Sequence, residues 1–417
     1  MNGTLDVAIV GGGLAGLSCA RRLREGGISC LVLEASNGVG GRVRTDEIDG
    51  FLLDRGFQVL LAAYPEARSV LDYAALDLRP FASGAIIRAG GRFHRMIDPW
   101  RAPAWWLSAL VSGVGTFGDK MKLARLRARL LRSSLDQIFA GPDRTTLEAL
   151  RAAGFSTRMI DRFFRPFFAG ILLDPSLGAS SRMFEFVFKM VARGEVCVPA
   201  KGMGAIPGQI AAGLPAGSIR LGARAASLRE GVVTLKGGEE IHARAVVLAT
   251  EGPEAARLAG ALSPPRSRGV TCLHFAADEP PIPDPILVLN GEGVGPVNNL
   301  AVMSNVAPTY APAGAALVSI SVMGVGDPGD DHLAAAVLEQ VGGWFGPRVR
   351  SWRLLRIDRI RHAQPEQLPG ALEPPGRSVR LRPALYVCGD WRDNASINGA
   401  MVSGRRAAEA VIADLAN

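Results

Sequence analysis

Cysteine is scarce. Five cysteines are scattered through 417 residues with no CxxC pair, which argues against a disulfide framework, a zinc site and a dithiol reductase. Lysine is also rare: Lys120, Lys122, Lys189, Lys201 and Lys236 stand among 47 basic residues, so arginine carries the net charge of +8. That charge is not gathered into a short tract of interleaved basic and aromatic residues, and no nucleic-acid partner is expected. No apolar run is long enough for a confident membrane span. The uncharged stretch from Ala102 to Gly118 is short and broken by glycine and proline. The first strand begins within five residues of Met1, too early for a signal peptide, so a cytoplasmic protein is expected.

What is present points to a large enzyme. Hydrophobic residues make up 48% of the chain, ample for a sizeable core, and 50 glycines with 27 prolines fit a loop-rich α/β protein. The length suggests two or three domains, or two that interleave.

The chain is organised around its first strand and the loop after it. Leu5 to Val10 reads as a short apolar strand, followed at once by Gly11-Gly12-Gly13-Leu14-Ala15-Gly16. Leu17, Ala20 and Leu23 then share one face of a helix, and a second strand, Ser29 to Leu33, ends in Glu34. This is the dinucleotide-binding βαβ pattern. Gly11 permits the tight turn, Gly13 lets a pyrophosphate approach the backbone, and Gly16 lets helix and strand pack closely. The helix start at Leu14 and Ala15 offers unpaired N–H groups to phosphate. Glu34, beside Ala35, is placed to accept ribose hydroxyls and would repel a 2′-phosphate.

A second glycine cluster follows: Gly38-Val39-Gly40-Gly41-Arg42-Val43-Arg44. Its amides and guanidiniums suit a pyrophosphate. Placed just past the acidic residue, it resembles the second fingerprint of the flavin amine oxidase superfamily, which includes the phytoene (carotenoid) desaturases. The chain departs from that pattern at Gly38, where an arginine is common. The resemblance implies non-covalent FAD. It also implies that Gly56, Phe57 and Gln58 line the flavin, that Ala225 gives a backbone contact to adenine, and that a C-terminal segment closes the site. There Gly389-Asp390 follows a buried strand, with Asp390 toward the ribityl chain. The helix start at Ile397, Asn398 and Ala400 faces the pyrimidine end.

The implied fold class is α/β: a GR2-type, Rossmann-like FAD-binding domain interleaved with an α+β substrate domain holding a mixed sheet and a helical subdomain. The FAD domain takes residues 1–80, 200–262 and 376–417; the substrate domain takes 81–199 and 263–375. Seven of the 16 phenylalanines lie between Phe163 and Phe188. Helical spacing makes most of them core, but a tunnel would use the same residues, and Phe164, Phe168, Phe184 and Trp391 are candidate substrate-lining residues. Residues 99–132 read as a core helix followed by a solvated basic helix. The sharper reading is a peripheral membrane contact through Trp100, Trp105 and Trp106.

The branch of the superfamily is read from absences. Ile397 stands where amine oxidases place an aromatic residue. The strand Val270-Thr271-Cys272-Leu273 carries no lysine where they commonly hold one near the flavin. Cys388 lies inside a strand, away from a covalent flavin link. These features favour an FAD-dependent oxidoreductase that removes hydride from a small apolar substrate to leave a C=C bond. A flavin amine oxidase acting on a C–N bond is the alternative, and a flavin-bound scaffold is the non-enzyme reading. No catalytic acid or base and no metal site is named.

Overall fold

The computed structural model describes residues 5–98, 100–101, 113–260, 262–326 and 329–416. Two sheets dominate. The first brings together segments from both ends and the middle of the chain. Its parallel core runs in the order Ile219–Arg220, Cys30–Leu33, Leu5–Val10, Glu240–Leu248, with Leu385–Val387 beside the last. Val7, Ile9, Val32, Val247 and Val387 are fully buried, as expected when both faces of a parallel sheet are covered. The strand Glu240–Leu248 has two uses. Glu240–His242 pairs antiparallel with Val232–Leu235, and Ala243–Leu248 joins the parallel sheet. His242 stays exposed, a surface strand residue as its position suggests.

The helices Leu14–Glu25 and Ile397–Leu415 lie against each other on this sheet. A Cβ at Gly404 would collide with the Ala15 carbonyl, so glycine sets the closeness of the two helices. Both N-termini start at the C-terminal edge of the parallel strands, the edge where open α/β sheets bind ligands.

The second sheet has seven strands in the order Arg353–Pro365, Ser267–Ala277, Ala316–Met323, Val297–Val302, Leu287–Asn290, Gly84–Ala89, Arg92–Ile97. Only the Leu287–Asn290 and Gly84–Ala89 pair is parallel. Alternation sorts its side chains. Ile86, Val288, Leu300, Val318, Ile320, Leu273 and Phe275 pack with Val337 and Val341 of the helix Asp330–Phe345. Ala85, Leu287, Asn299, Ser321 and Val270, displaced by one residue, look the other way into a cavity. The helix Pro65–Val70 is short, because the chain then turns and extends as Leu78–Pro80 to pair with Val196–Pro199.

A helical layer roofs that cavity. Its helices carry strong local signals. Thr116 with Asp119, Ser134 with Gln137 and Thr145 with Glu148 form reciprocal capping boxes. The helix Phe117–Arg132 ends on buried Lys189, whose ammonium donates to the carbonyls of Leu130 and Ser133 at 2.7 and 2.8 Å. Between Ile160 and Phe164 the chain widens into a π turn, just before Pro166, which has no N–H to return to the preceding turn. No helix among the described residues is long and apolar enough to cross a membrane. Trp105 and Trp106, two of the three tryptophans in the sequence argument for a membrane contact, lie outside the described residues.

Candidate active site

One cavity of about 770 Å³ runs between the two sheets and the helical roof. Its wall at the first sheet is made largely of backbone. Gly11 has φ +111°, and a Cβ there would press on the Ala249 carbonyl at 2.8 Å. Gly13 differs: a Cβ there would meet nothing within 4 Å, because the position opens into the cavity. Gly16 lies behind the wall, where a Cβ would collide with the Gly11 carbonyl. It therefore acts through helix–strand packing and does not line the cavity.

The second glycine cluster is docked against the first. Gly40 donates its N–H to the Gly12 carbonyl at 2.8 Å. Gly40 and Gly41 have φ of +110° and +59°, a backbone path open to glycine. Glu34 is 8% exposed, and its two oxygens accept from the Gly12 and Ser36 amides at 2.7 and 2.8 Å. The first glycine loop, the acid and the second loop are thus one rigid piece. Ala35, Leu14, Ala15 and Ala225 complete this part of the wall. The Ala225 carbonyl accepts from Arg257 at 3.1 Å.

Residues from opposite ends of the sequence meet at Arg42 and Asp390. Their ion pair spans 2.8 Å, and Arg42 also donates to the Ala363 carbonyl at 2.9 Å. Burial works against the Arg42 charge, but the Asp390 carboxylate outweighs it and raises the guanidinium pKa. Gln58 donates to the carbonyls of Arg42 and Arg55, both at 2.8 Å, which fixes Gly56, Phe57 and Gln58 along the wall. Gly389, with φ +147°, must stay small because a Cβ would meet the Trp391 ring nitrogen at 2.7 Å. The helix Ile397–Leu415 presents Ile397 and Ala400 to the cavity, capped by Ser396, whose hydroxyl accepts from the Gly399 amide at 2.9 Å. Asn398 turns away from the cavity. Its carbonyl oxygen accepts the Glu66 N–H at 3.0 Å, capping the neighbouring short helix.

The candidate substrate residues need correction. Phe164 and Phe168 are fully buried and Phe184 is 2% exposed, all within the core of the roof. Phe163, Phe167 and Phe188 line the cavity instead. Phe163 with Phe167 and Phe164 with Phe168 are adjacent stripes at the same four-residue spacing, as are Phe184 and Phe188 within one stripe, so helical spacing groups these rings without saying which of them meets the cavity. Trp391 is also core. It is 4% exposed and donates to the Thr250 carbonyl at 3.3 Å.

The sequence reading missed the long strand Arg353–Pro365. It brings Ile360, Ala363 and Gln364 to the cavity and carries Asp358 beneath it. Beneath Phe57 and Gln58 lies a buried polar cluster. His274 places Nδ1 3.0 Å from the Ser319 hydroxyl and Nε2 3.3 Å from the Asp358 carboxylate, the latter an ion pair rather than a hydrogen bond. Burial opposes the His274 charge, yet the Cys272 sulfur and Asp358 hold its pKa up to about 10. Asp54 nearby is pushed up by burial and steadied by the Met203 amide and the Tyr310 hydroxyl, each at 2.8 Å.

The sequence profile of the flavin-containing amine oxidoreductases matches residues 14–412. The chain belongs to this family. It is an FAD-dependent oxidoreductase. A hydroxysqualene dehydroxylase of Rhodopseudomonas palustris is 28% identical, over 98% of each chain. A coproporphyrinogen III oxidase of Mycobacterium tuberculosis is 25% identical, over 97% of this chain and 96% of the other. A putative protoporphyrinogen oxidase from Exiguobacterium superposes with a TM-score of 0.75 at 18% identity, covering 99% of each chain. Putrescine oxidase superposes with a TM-score of 0.74 at 20% identity, covering 99% of this chain and 100% of the other. The two superpositions establish the shared fold.

The cavity fits the family's cofactor. The opening at Gly13 admits a phosphate to the backbone, two helix N-termini reach the same wall, and Glu34 is held by two amides beside the cavity.

Proposed function

We propose that this oxidoreductase removes a hydride from one carbon of an apolar substrate while the adjacent carbon releases a proton to solvent, so that a C=C bond forms between them. FAD, held along Glu34, Gly13, Gly41, Arg42 and Asp390, supplies the two-electron acceptor. The chain's own residues bind the substrate, orient it and exclude water. The observation that carries this reading is the composition of the wall beyond the glycine loops. Phe57, Val59, Phe163, Phe167, Ile171, Phe188, Val270, Ile360 and Ile397 line it. Val270 is the cavity-facing residue of the strand on which the amine-oxidising branch commonly holds a lysine, and Ile397 replaces its aromatic residue.

Charge supports the same reading. The substrate-side wall from residue 81 to 199 contributes Asp98, Arg101 and Arg127, one carboxylate against two guanidiniums. A protonated amine would be repelled there, whereas a hydrocarbon is indifferent. The end-to-end similarity to a protein named hydroxysqualene dehydroxylase agrees with an apolar substrate.

The test is an anaerobic titration of purified holoenzyme with acyclic polyenes in detergent and, separately, with primary and secondary amines. Bleaching of the visible flavin band by polyenes is expected. Bleaching by amines alone would transfer the protein to C–N oxidation.

A further inference from the structure

At its mouth the cavity has a charged stretch whose hydrogen-bond donors the proposed chemistry does not use. Trp100 is 52% exposed and also lines the cavity, so it marks where the cavity meets solvent. Arg101 and Arg127 line the cavity beside it. Arg127 comes from the helix Phe117–Arg132 and lays its guanidinium over the Trp100 ring, 4.6 Å from the centroid. Both arginines reach the Ala192 carbonyl only at long range, 3.4 and 3.3 Å. Both share a single carboxylate, Asp98, at 3.9 and 4.0 Å, too far for a hydrogen bond. The Arg127 Nε is buried and has no hydrogen-bond partner among the described residues.

These guanidiniums are less fully paired than the bidentate ones of the same molecule. Elsewhere in the molecule arginines close on carboxylates with two bonds, as Arg95 does on Asp284 at 3.0 and 2.6 Å and Arg55 on Asp46 at 2.9 and 3.1 Å. Two half-satisfied guanidiniums sharing one carboxylate leave a surplus positive charge and free donors facing the cavity. A planar fork of donors is suited to a carboxylate or phosphate.

We propose that Arg101 and Arg127 form an anion-binding subsite at the cavity mouth for an acidic group carried by the substrate itself. The substrate is then an amphiphile. Its apolar body enters among Phe163, Phe167 and Phe188, and its carboxylate or phosphate stays at the mouth, beside Trp100. The subsite sets how deep the chain reaches and therefore which carbon is presented for oxidation. This proposal rests on the reading of the cavity as an apolar-substrate chamber.

The test uses holoenzyme and oleate as the probe, with methyl oleate as its uncharged match, both below their aggregation concentrations. Binding is read by calorimetry and by perturbation of the flavin spectrum. Oleate is expected to bind at least about tenfold more tightly than the ester, the usual scale for a charge-assisted bidentate contact. In the double variant R101Q/R127Q the two ligands should bind alike, at the ester's affinity, with the FAD-to-protein ratio unchanged. The variant R101K/R127K should regain part of the preference, which separates charge from packing on Trp100. Equal binding of acid and ester by the unaltered protein would overturn the subsite while leaving the apolar chamber intact. Failure of both ligands to bind would overturn the chamber reading as well. Preference retained in R101Q/R127Q would also overturn the subsite. Vesicles of phosphatidylglycerol and of phosphatidylcholine give the last arm. If the double variant loses only its binding to the anionic vesicles and keeps the oleate preference, the guanidiniums face a lipid surface and the substrate assignment fails.

Discussion

The cavity has two ends built by opposite means. The nucleotide end is made of backbone: Gly11, Gly13, Gly40 and Gly41 shape it, and amides hold Glu34 in place. The substrate end is made of side chains from the second sheet and the helical roof, gathered from residues far apart in the chain. A backbone site tolerates almost no added atoms. A side-chain site tolerates many, and exchanging them changes what fits. One end can therefore stay fixed across the family while the other varies in substrate.

The largest effect should come from the glycine behind the wall. Gly16→Val pushes a side chain into the Gly11 carbonyl, where no flexible neighbour can yield. Loss of more than about 4 kcal/mol of stability, and of bound FAD, is expected in denaturant titration and absorbance. Gly13→Ala makes the sharper comparison. Its methyl group meets no protein atom, so the apoprotein should melt as before. FAD affinity should nevertheless fall on the order of 100-fold, because the methyl occupies the phosphate's approach. Equal destabilisation by both substitutions would remove the distinction between packing glycine and ligand glycine.

The substrate end can be split in the same way. Phe164→Ala, deep in the core, should cost about 3–5 kcal/mol of unfolding free energy. Phe167→Ala, one turn on and facing the cavity, should cost far less and instead raise KM for the apolar substrate. A reversed pattern would show that Phe164, not Phe167, faces the cavity.

A smaller effect distinguishes the layer beneath Phe57 and Gln58. The folded His274 pKa lies near 10, above an unfolded value near 6.5. Its protonation therefore stabilises the fold fully below about pH 6.5 and is lost as pH rises toward 10. The stability gap between the unaltered protein and His274→Gln, about 1–3 kcal/mol at pH 6, should narrow over that interval. A gap that widens with pH would show that His274 is neutral in the fold.

Legibility in the sequence followed the same division. The strand, glycine turn, helix and acid from Leu5 to Glu34 are consecutive, so spacing alone placed them. The helix Asp330–Phe345 and the hairpin turning at Gly90 and Gly91 are likewise local, each formed within one continuous stretch of chain. The cavity-facing phenylalanines were not legible, because helical spacing groups Phe163 with Phe167 and Phe164 with Phe168 alike, and only the packing of the roof on the second sheet decides which stripe meets the cavity. Gly16 packs helix on strand as its place in the motif implies, whereas Asn398, placed at the site by motif, caps a neighbouring helix. Arg101, Arg127 and the strand Arg353–Pro365 left no local signal. Their roles arise only when distant segments meet.

The most direct test of the account is a crystal structure of the FAD-loaded protein. Adenosine is expected at Glu34 and Ala225, pyrophosphate between Gly13 and Gly41, and the flavin ring between Gln58 and Ile397, facing the chamber of Phe163, Phe167 and Phe188. A flavin ring turned away from those phenylalanines, or a nucleotide held elsewhere than along the two glycine loops, would contradict it.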